Sequence, residues 1–370
     1  MYALLRHLLF LLDPTTSHVL ASLALSPVEH LGPIRAATRA VCASNDPALR
    51  SRVLGLDFPA PLGLAGGFDK NATRARALAA LGFGHLELGT VTALAQDPNP
   101  APNILRMPAD RALVNRLGFP NQGAERVVRR IRRYGPLGVP VGVSIGKSRV
   151  VALDPIDGVV DDYLVSFGHA RTVADFVVVN VSSPNTKDLR AMQGPELARV
   201  LLGALVRANE DGARRVPLLV KIAPDLSDAE LDALLTVVDE TKLDGVVATN
   251  TTIAREGLRT DAAEIARIGP GGLSGAPLKE RSRTVVAHVR ARLGNEIAII
   301  GVGGIESADD VIAMMRAGAN LVQAYTGFVY GGPAWVRRVH RELADLVRRS
   351  NVASVASLVG ERDSSMSGAS

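Results

Sequence analysis

The sequence predicts a (β/α)8 TIM barrel, an α/β fold, and three observations carry that prediction. From about residue 53, eight short apolar runs alternate with longer amphipathic, Ala- and Arg-rich stretches over roughly 300 residues. Nothing of the form GxGxxG opens the first strand–helix unit, which favours the barrel over the competing doubly wound open sheet. Each apolar run also finishes in polar or glycine-rich residues, at the strand ends where parallel α/β folds build their sites.

The predicted strands are Pro61–Ala65, His85–Gly89, Val139–Ile145, Phe176–Val181, Pro217–Ile222, Gly245–Thr249, Ile297–Val302 and Asn320–Ala324. The fourth is the clearest: Phe176-Val177-Val178-Val179 is β-branched and buried in character, and Pro184 cannot continue it. Predicted helices include Arg74–Leu81, Gly194–Ala208, Ser227–Asp239, Arg281–Leu293 and Ser307–Ala317, with Asp225 or Ser227 as a candidate cap for the third.

Residues 1–45 read as a separate segment. Met1 to Leu12 is Leu- and Phe-rich but carries Arg6 and His7, so its uninterrupted apolar part is far short of the ~20 residues that span a bilayer. Asp13 as N-cap and Pro14 at the first helical position start a second helix, apolar to about Leu25. The pair reads as a greasy hairpin that lies on a membrane or packs on the main domain. Residues 46–348 read as the barrel and 349–370 as a largely disordered tail, most plainly Ser364 to Ser370.

Composition sets the outer limits. The chain has 370 residues, 47% hydrophobic, enough for one large core. A single cysteine, Cys42, excludes an internal disulfide framework or a cysteine-held iron–sulfur cluster in this chain. A net charge of +5 suits anionic ligands or an anionic membrane surface, and no dense basic run points to nucleic acid.

The strand exits carry the chemistry. Gly303-Gly304 and Tyr325-Thr326-Gly327 after strands seven and eight let backbone N–H groups approach a phosphate, and Gly271 to Gly275 can close over it. Lys221 emerges into the barrel mouth, where an anionic ligand resolves the cost of its burial. Lys70 is similarly placed, either for a ligand or as an ion pair with Asp69. Asn115, Asn180, Asn185 and Asn250 offer convergent amides suited to a planar heterocycle with its own amide edges.

Taken in order and spacing, Gly66–Asn71, Gly89–Thr92, Asn115–Phe119, Asn180–Thr186, Val220–Asp225, Val247–Thr252, Gly271–Gly275 and Ile300–Ile305 resemble the class 2 dihydroorotate dehydrogenases, FMN enzymes of pyrimidine biosynthesis that reduce membrane quinones. The resemblance implies oxidation of (S)-dihydroorotate to orotate, with Ser183 as the base taking the C5 proton while hydride leaves C6 for the flavin. It implies that Lys70, Asn115, Arg116, Leu117, Gly118, Phe119, Asn180, Asn185, Asn250 and Thr251 hold the pyrimidine. FMN would be held by Gly66, Gly67, Phe68, Asp69, Lys70, Thr90, Ser144, Asn180, Lys221, Thr249, Gly275, Gly304, Tyr325 and Thr326. Thr90 and Phe119 would border the proton's exit, and His18, Arg106 and Tyr325 the quinone's path. It implies further a peripheral protein on the cytoplasmic face of a bacterial-type cell membrane, with no metal and no iron–sulfur partner subunit. Class 1 relatives use a cysteine base, and Cys42 lies outside the barrel motifs, which argues for class 2. One departure is Ser144, where the family usually has Asn.

Three rivals stay open on the residues: the same chemistry with fumarate or NAD as acceptor, a phosphate-binding barrel using Lys221 as a Schiff-base amine, and a silent membrane-associated binding module. The N-terminal hairpin opposes the first, flavin colour would oppose the second, and Ser183 with both lysines opposes the third.

Overall fold

The computed structural model describes residues 2–350 and 352–361, so the predicted disorder of Ser364 to Ser370 lies outside the described residues. Eight parallel strands close into a barrel in chain order: Leu62–Leu64, Leu86–Val91, Val141–Ile145, Phe176–Asn180, Leu218–Ile222, Gly245–Ala248, Ala298–Val302 and Leu321–Ala324. The eighth pairs back on the first, with Val322 opposite Leu62. All eight fall where the apolar runs predict them, because both faces of a barrel strand are buried and the run is nearly continuous. The second strand continues two residues beyond the predicted end, to Val91.

Inward-facing side chains fill the barrel. Phe176, Val178, Leu219, Val247, Ile300 and Leu321 form an inner cluster with Phe58, from a small antiparallel hairpin, Ser51–Val53 with Leu56–Phe58. Phe58 meets the ring of His85 edge-on at 5.4 Å, at the start of strand two, so the hairpin closes the end opposite the mouth. The mouth carries a three-stranded antiparallel sheet, Ile104–Met107, Ala112–Asn115 and Gly272–Gly275. Neither antiparallel sheet is predicted, since three- and four-residue strands carry too little alternation to register.

Ser227 accepts from the Glu230 N–H while the Glu230 side chain reaches back to Ser227, a capping box, so Ser227 rather than Asp225 starts its helix.

The N-terminal segment differs from a two-helix hairpin. Tyr2–Leu11 and Pro14–His30 are helical, but the second runs past Leu25 with Pro27 inside it, and a third helix, Gly32–Cys42, follows. Glu29 explains the extension: it is buried, and its Oε2 accepts from the Ala77 N–H at 2.9 Å in the first helix of the barrel. The tail also differs. Val355–Leu358 forms a 3-10 turn whose Val355 and Leu358 are buried in the main core, so the ordered fold passes residue 348. Among the described residues no helix is long and apolar enough to cross a membrane.

Candidate active site

A cavity opens at the C-terminal ends of the strands. Residues from five of the first six strand exits, Gly66, Gly67, Lys70, Thr90, Asn180, Ser183, Asn185, Lys221, Thr249, Asn250 and Thr251, line it, and the third exit contributes none. So do Asn115, Leu117, Gly118, Phe119 and Gly275 from the mouth sheet and its flank, and Gly304, Tyr325 and Thr326 from exits seven and eight. The barrel brings these together because every strand is parallel and delivers its following loop to one end.

Not all predicted site residues reach the cavity wall. Phe68 instead packs between Tyr325 (5.2 Å) and Phe328 (5.4 Å). Asp69 accepts from the Thr73 and Arg74 N–H groups, both at 2.8 Å, so it shapes the first loop rather than pairing with Lys70. Arg116 donates from Nε to the Pro270 carbonyl. Ser144 is buried behind the wall and shares a hydrogen bond with Thr90 Oγ1 at 3.0 Å. His18 and Arg106 lie on the N-terminal side: His18 faces the Phe68 ring at 6.1 Å, and Arg106 donates to the Leu12 carbonyl at 2.7 Å and covers the Phe10 ring.

The amides converge but are coupled to one another. Asn250 Nδ2 donates to Asn180 Oδ1 (3.1 Å) and to Ser182 Oγ (2.9 Å), and Asn180 Nδ2 donates to Thr90 Oγ1 (3.0 Å). On the other side Asn185 Nδ2 donates to Asn115 Oδ1 at 2.8 Å. These bonds fix each amide's orientation, which pre-organises the edges left for a ligand. Ser183 is buried in the same wall, and its Oγ accepts from the Asn185 N–H at 3.2 Å.

Lys221 does not wait for a ligand to supply its counter-charge. Its Nζ lies 3.1 Å from Glu87 Oε1, a pair with side-chain exposures of 6% and 0%. An ion-paired amine is not the free nucleophile a Schiff base requires, which weakens the aldolase-type rival. Lys70 donates to the Gly67 carbonyl, and burial pushes its pKa down to about 8. Burial also pushes the Tyr325 phenol up to about 12, so it stays a neutral donor.

Glycine is required at the exit of strand seven. Gly303 has φ +135°, and a Cβ there would lie 2.1 Å from Ser282 Oγ; Gly304 has φ +71°, with the Lys279 backbone 2.5 Å away. Ser274, in the Gly272–Gly275 strand, shares a hydrogen bond with Thr326 Oγ1 at 2.8 Å, which ties that strand to the exit of strand eight. Ser307 caps the next helix as part of a capping box with Asp310, not as a wall of the cavity.

Two buried polar residues at or behind the cavity wall escape sequence reasoning. Glu87 sits in an apolar strand, where a charged residue in a buried run is the available signal. Gln323 is fully buried, lines the cavity, and has no hydrogen-bond partner at either end of its amide.

Residues 48–347 match the sequence model of the dihydroorotate dehydrogenase family. A relative from Nocardia farcinica, a dihydroorotate dehydrogenase (quinone), is 49% identical over 360 residues, 97% of this chain and 96% of its own. A second quinone enzyme of that name, from Thermobifida fusca, is 52% identical over 326 residues, 87% of this chain and 86% of its own. The crystal structure of DHODH from Eimeria tenella in complex with ferulenol superposes with a TM-score of 0.83 at 34% identity, covering 94% of this chain and 95% of that one. With the barrel, the cavity and these matches in hand, the chain belongs to the dihydroorotate dehydrogenase family.

Proposed function

We propose that this chain oxidises dihydroorotate to orotate in pyrimidine biosynthesis, with FMN accepting the hydride and a membrane quinone taking the electrons onward. The observation that carries the reading is Ser183 lining one cavity together with the Asn180–Asn250 and Asn115–Asn185 amide pairs.

The residues present fit a flavin mononucleotide. Gln323 leaves a buried amide in want of a partner that both donates and accepts, and Gly303 and Gly304, packed tightly at positive φ, line the cavity with backbone that a phosphate can approach. Gly66, Gly67, Lys70, Thr90, Asn180, Lys221, Thr249, Gly275, Gly304, Tyr325 and Thr326 would hold it. FMN, when bound, supplies the hydride acceptor. Ser144 would act one step back, by orienting Thr90, and Phe68 and Asp69 by shaping the wall.

The chain's own residues do the rest. Lys70, with Asn115, Asn180, Asn185, Asn250 and Thr251, binds and orients the anionic pyrimidine, and Leu117, Gly118 and Phe119 close the cavity beside it. Ser183 Oγ takes the substrate proton. A serine hydroxyl is a weak base at neutral pH, so the proton must pass on through water or the Thr90 hydroxyl, which Ser144 and Asn180 hold in place.

Residues 1–45 would be the membrane- and quinone-facing segment and 46–348 the catalytic barrel. Leu8, Leu11, Leu12, Val19, Leu20 and Leu23 are all exposed on the first two helices and the turn between them, an apolar surface suited to peripheral attachment at the cytoplasmic face of a cell membrane. His18, Phe68 and Tyr325 form a line of rings from those helices to the cavity, which favours quinone over a soluble acceptor. The decisive experiment adds dihydroorotate anaerobically to the purified yellow protein. Bleaching of the flavin supports the reading; a protein that stays oxidised, or takes up no FMN, overturns it.

A further inference from the structure

We propose that Glu87, which does not line the cavity, is a positioning residue that keeps Lys221 charged and thereby sets the reduction potential of the bound flavin. The proposal rests on the flavin reading above.

The ion pair has an unusual path. Glu87 lies in strand two and Lys221 in strand five, with strands three and four between them in the sheet, so their contact crosses the barrel interior. Lys221 lines the cavity while Glu87 stands behind its wall, against Gly66, where a Cβ would lie 2.1 Å from Glu87 Oε1. The absence of a side chain at 66 is what admits the carboxylate so close beneath the cavity. The second oxygen, Oε2, is buried with no partner.

A fully buried carboxylate is costly, and a well-packed apolar pair would commonly serve stability as well. Its position explains its presence. Hydride transfer adds an electron pair and one proton to the flavin, so the ring gains negative charge, and an ammonium at the cavity wall stabilises the reduced form. An unpaired ammonium at that depth would favour its neutral form through desolvation, and the carboxylate prevents this. The other groups around Lys221 do not replace Glu87. Lys70 and Glu306 line the same cavity, with Tyr325, but Glu306 is paired with Arg111 at 2.6 Å. Asp69 is consumed by the Thr73 and Arg74 amides, and His85, two residues before Glu87, is packed against Phe58. Among the described residues Glu87 is the one ion-pair partner of Lys221.

The test measures the midpoint potential of the FMN-loaded full-length protein from pH 6 to 9 for wild type, Glu87→Gln, Glu87→Asp and Glu87→Gln/Lys221→Met. Glu87→Gln should add a fall with rising pH, relative to wild type, of at least tenfold in the two-electron reduction equilibrium, about 30 mV. Glu87→Asp should restore most of the wild-type profile, and the double variant should lose the extra pH dependence. A Glu87→Gln profile parallel to wild type overturns the proposal. If Glu87→Gln yields no folded protein, recovery of folding and flavin binding in the double variant supports the coupling, and failure of both overturns it. A wild-type chain that binds no FMN would instead remove the flavin reading itself.

Discussion

Arg190 Nη1 lies 2.9 Å from Asp225 Oδ2, and the same guanidinium donates to the carbonyls of Ser182 at 3.1 Å and Thr251 at 2.9 Å. One side chain thus ties together the exits of strands four, five and six, one residue away from Ser183. Replacing it by Ala should release the loop that carries the proposed base. A misplacement of about 1 Å is worth roughly 10²-fold in rate, so Arg190→Ala should lower kcat by one to two orders of magnitude with flavin still bound. Stopped-flow flavin reduction measures this, and an unchanged rate would show the loop to be held elsewhere.

Ser183→Ala should slow flavin reduction by dihydroorotate by roughly 10²- to 10⁴-fold near neutral pH, the range general bases contribute. FMN content should be unchanged, because the Oγ bonds the Asn185 N–H and no residue proposed to hold FMN.

The buried Glu29 decides how the N-terminal segment can be cut. Removing residues 1–30 takes away the acceptor of the Ala77 N–H and the Ser22 carbonyl that accepts from Arg74 at 2.9 Å. Removing only residues 1–12 spares both. The shorter deletion should leave dihydroorotate-driven bleaching intact and abolish reduction of a membrane quinone. Glu29→Ala should instead destabilise by about 1–3 kcal/mol, the usual result of orphaning a buried donor, read as a lower urea midpoint.

Lys70 gives the site a pH dependence. Burial holds its pKa at about 8, so the free enzyme loses this positive charge as pH rises through 8. An anionic substrate binds the ammonium form, so KM for dihydroorotate should rise above pH 8 while the pH 7 value stays low. Lys70→Met should raise KM throughout and flatten that rise.

His85 and His340 set an acid limb. Both are fully buried without hydrogen-bond partners, and burial lowers their pKa values to about 3 and about 4. The unfolded chain binds protons at these sites below pH 6.5 while the folded chain does not, so stability is present above pH 6.5 and falls as pH drops toward 4. His340→Leu should make the fall in unfolding free energy between pH 6.5 and 4 shallower by up to one proton, about 1.4 kcal/mol per pH unit.

The barrel strands are legible in the sequence because burial on both faces leaves a continuous apolar run, as at Phe176–Val179. The exits are legible because glycine, lysine and asparagine there serve no packing need, and most of the residues so marked line the cavity. Asp69 and Phe68 are adjacent to lining residues in sequence yet point elsewhere, and Ser144 sits at the one strand exit from which no residue lines the cavity. Alternation along a strand or a turn in a loop reverses the side chain within one residue.

By itself the sequence determined the eight-strand order, the mouth and the family, since these follow from local periodicity and from motifs each confined to a few neighbouring positions. Tertiary structure alone decided the partners. Lys221 meets Glu87 across 134 residues, Asn185 meets Asn115 across 70, and Ala77 meets Glu29 across 48. A buried charge or amide must be satisfied by whatever the closed barrel brings within 3 Å, and barrel closure is a property of the whole chain that no single segment encodes.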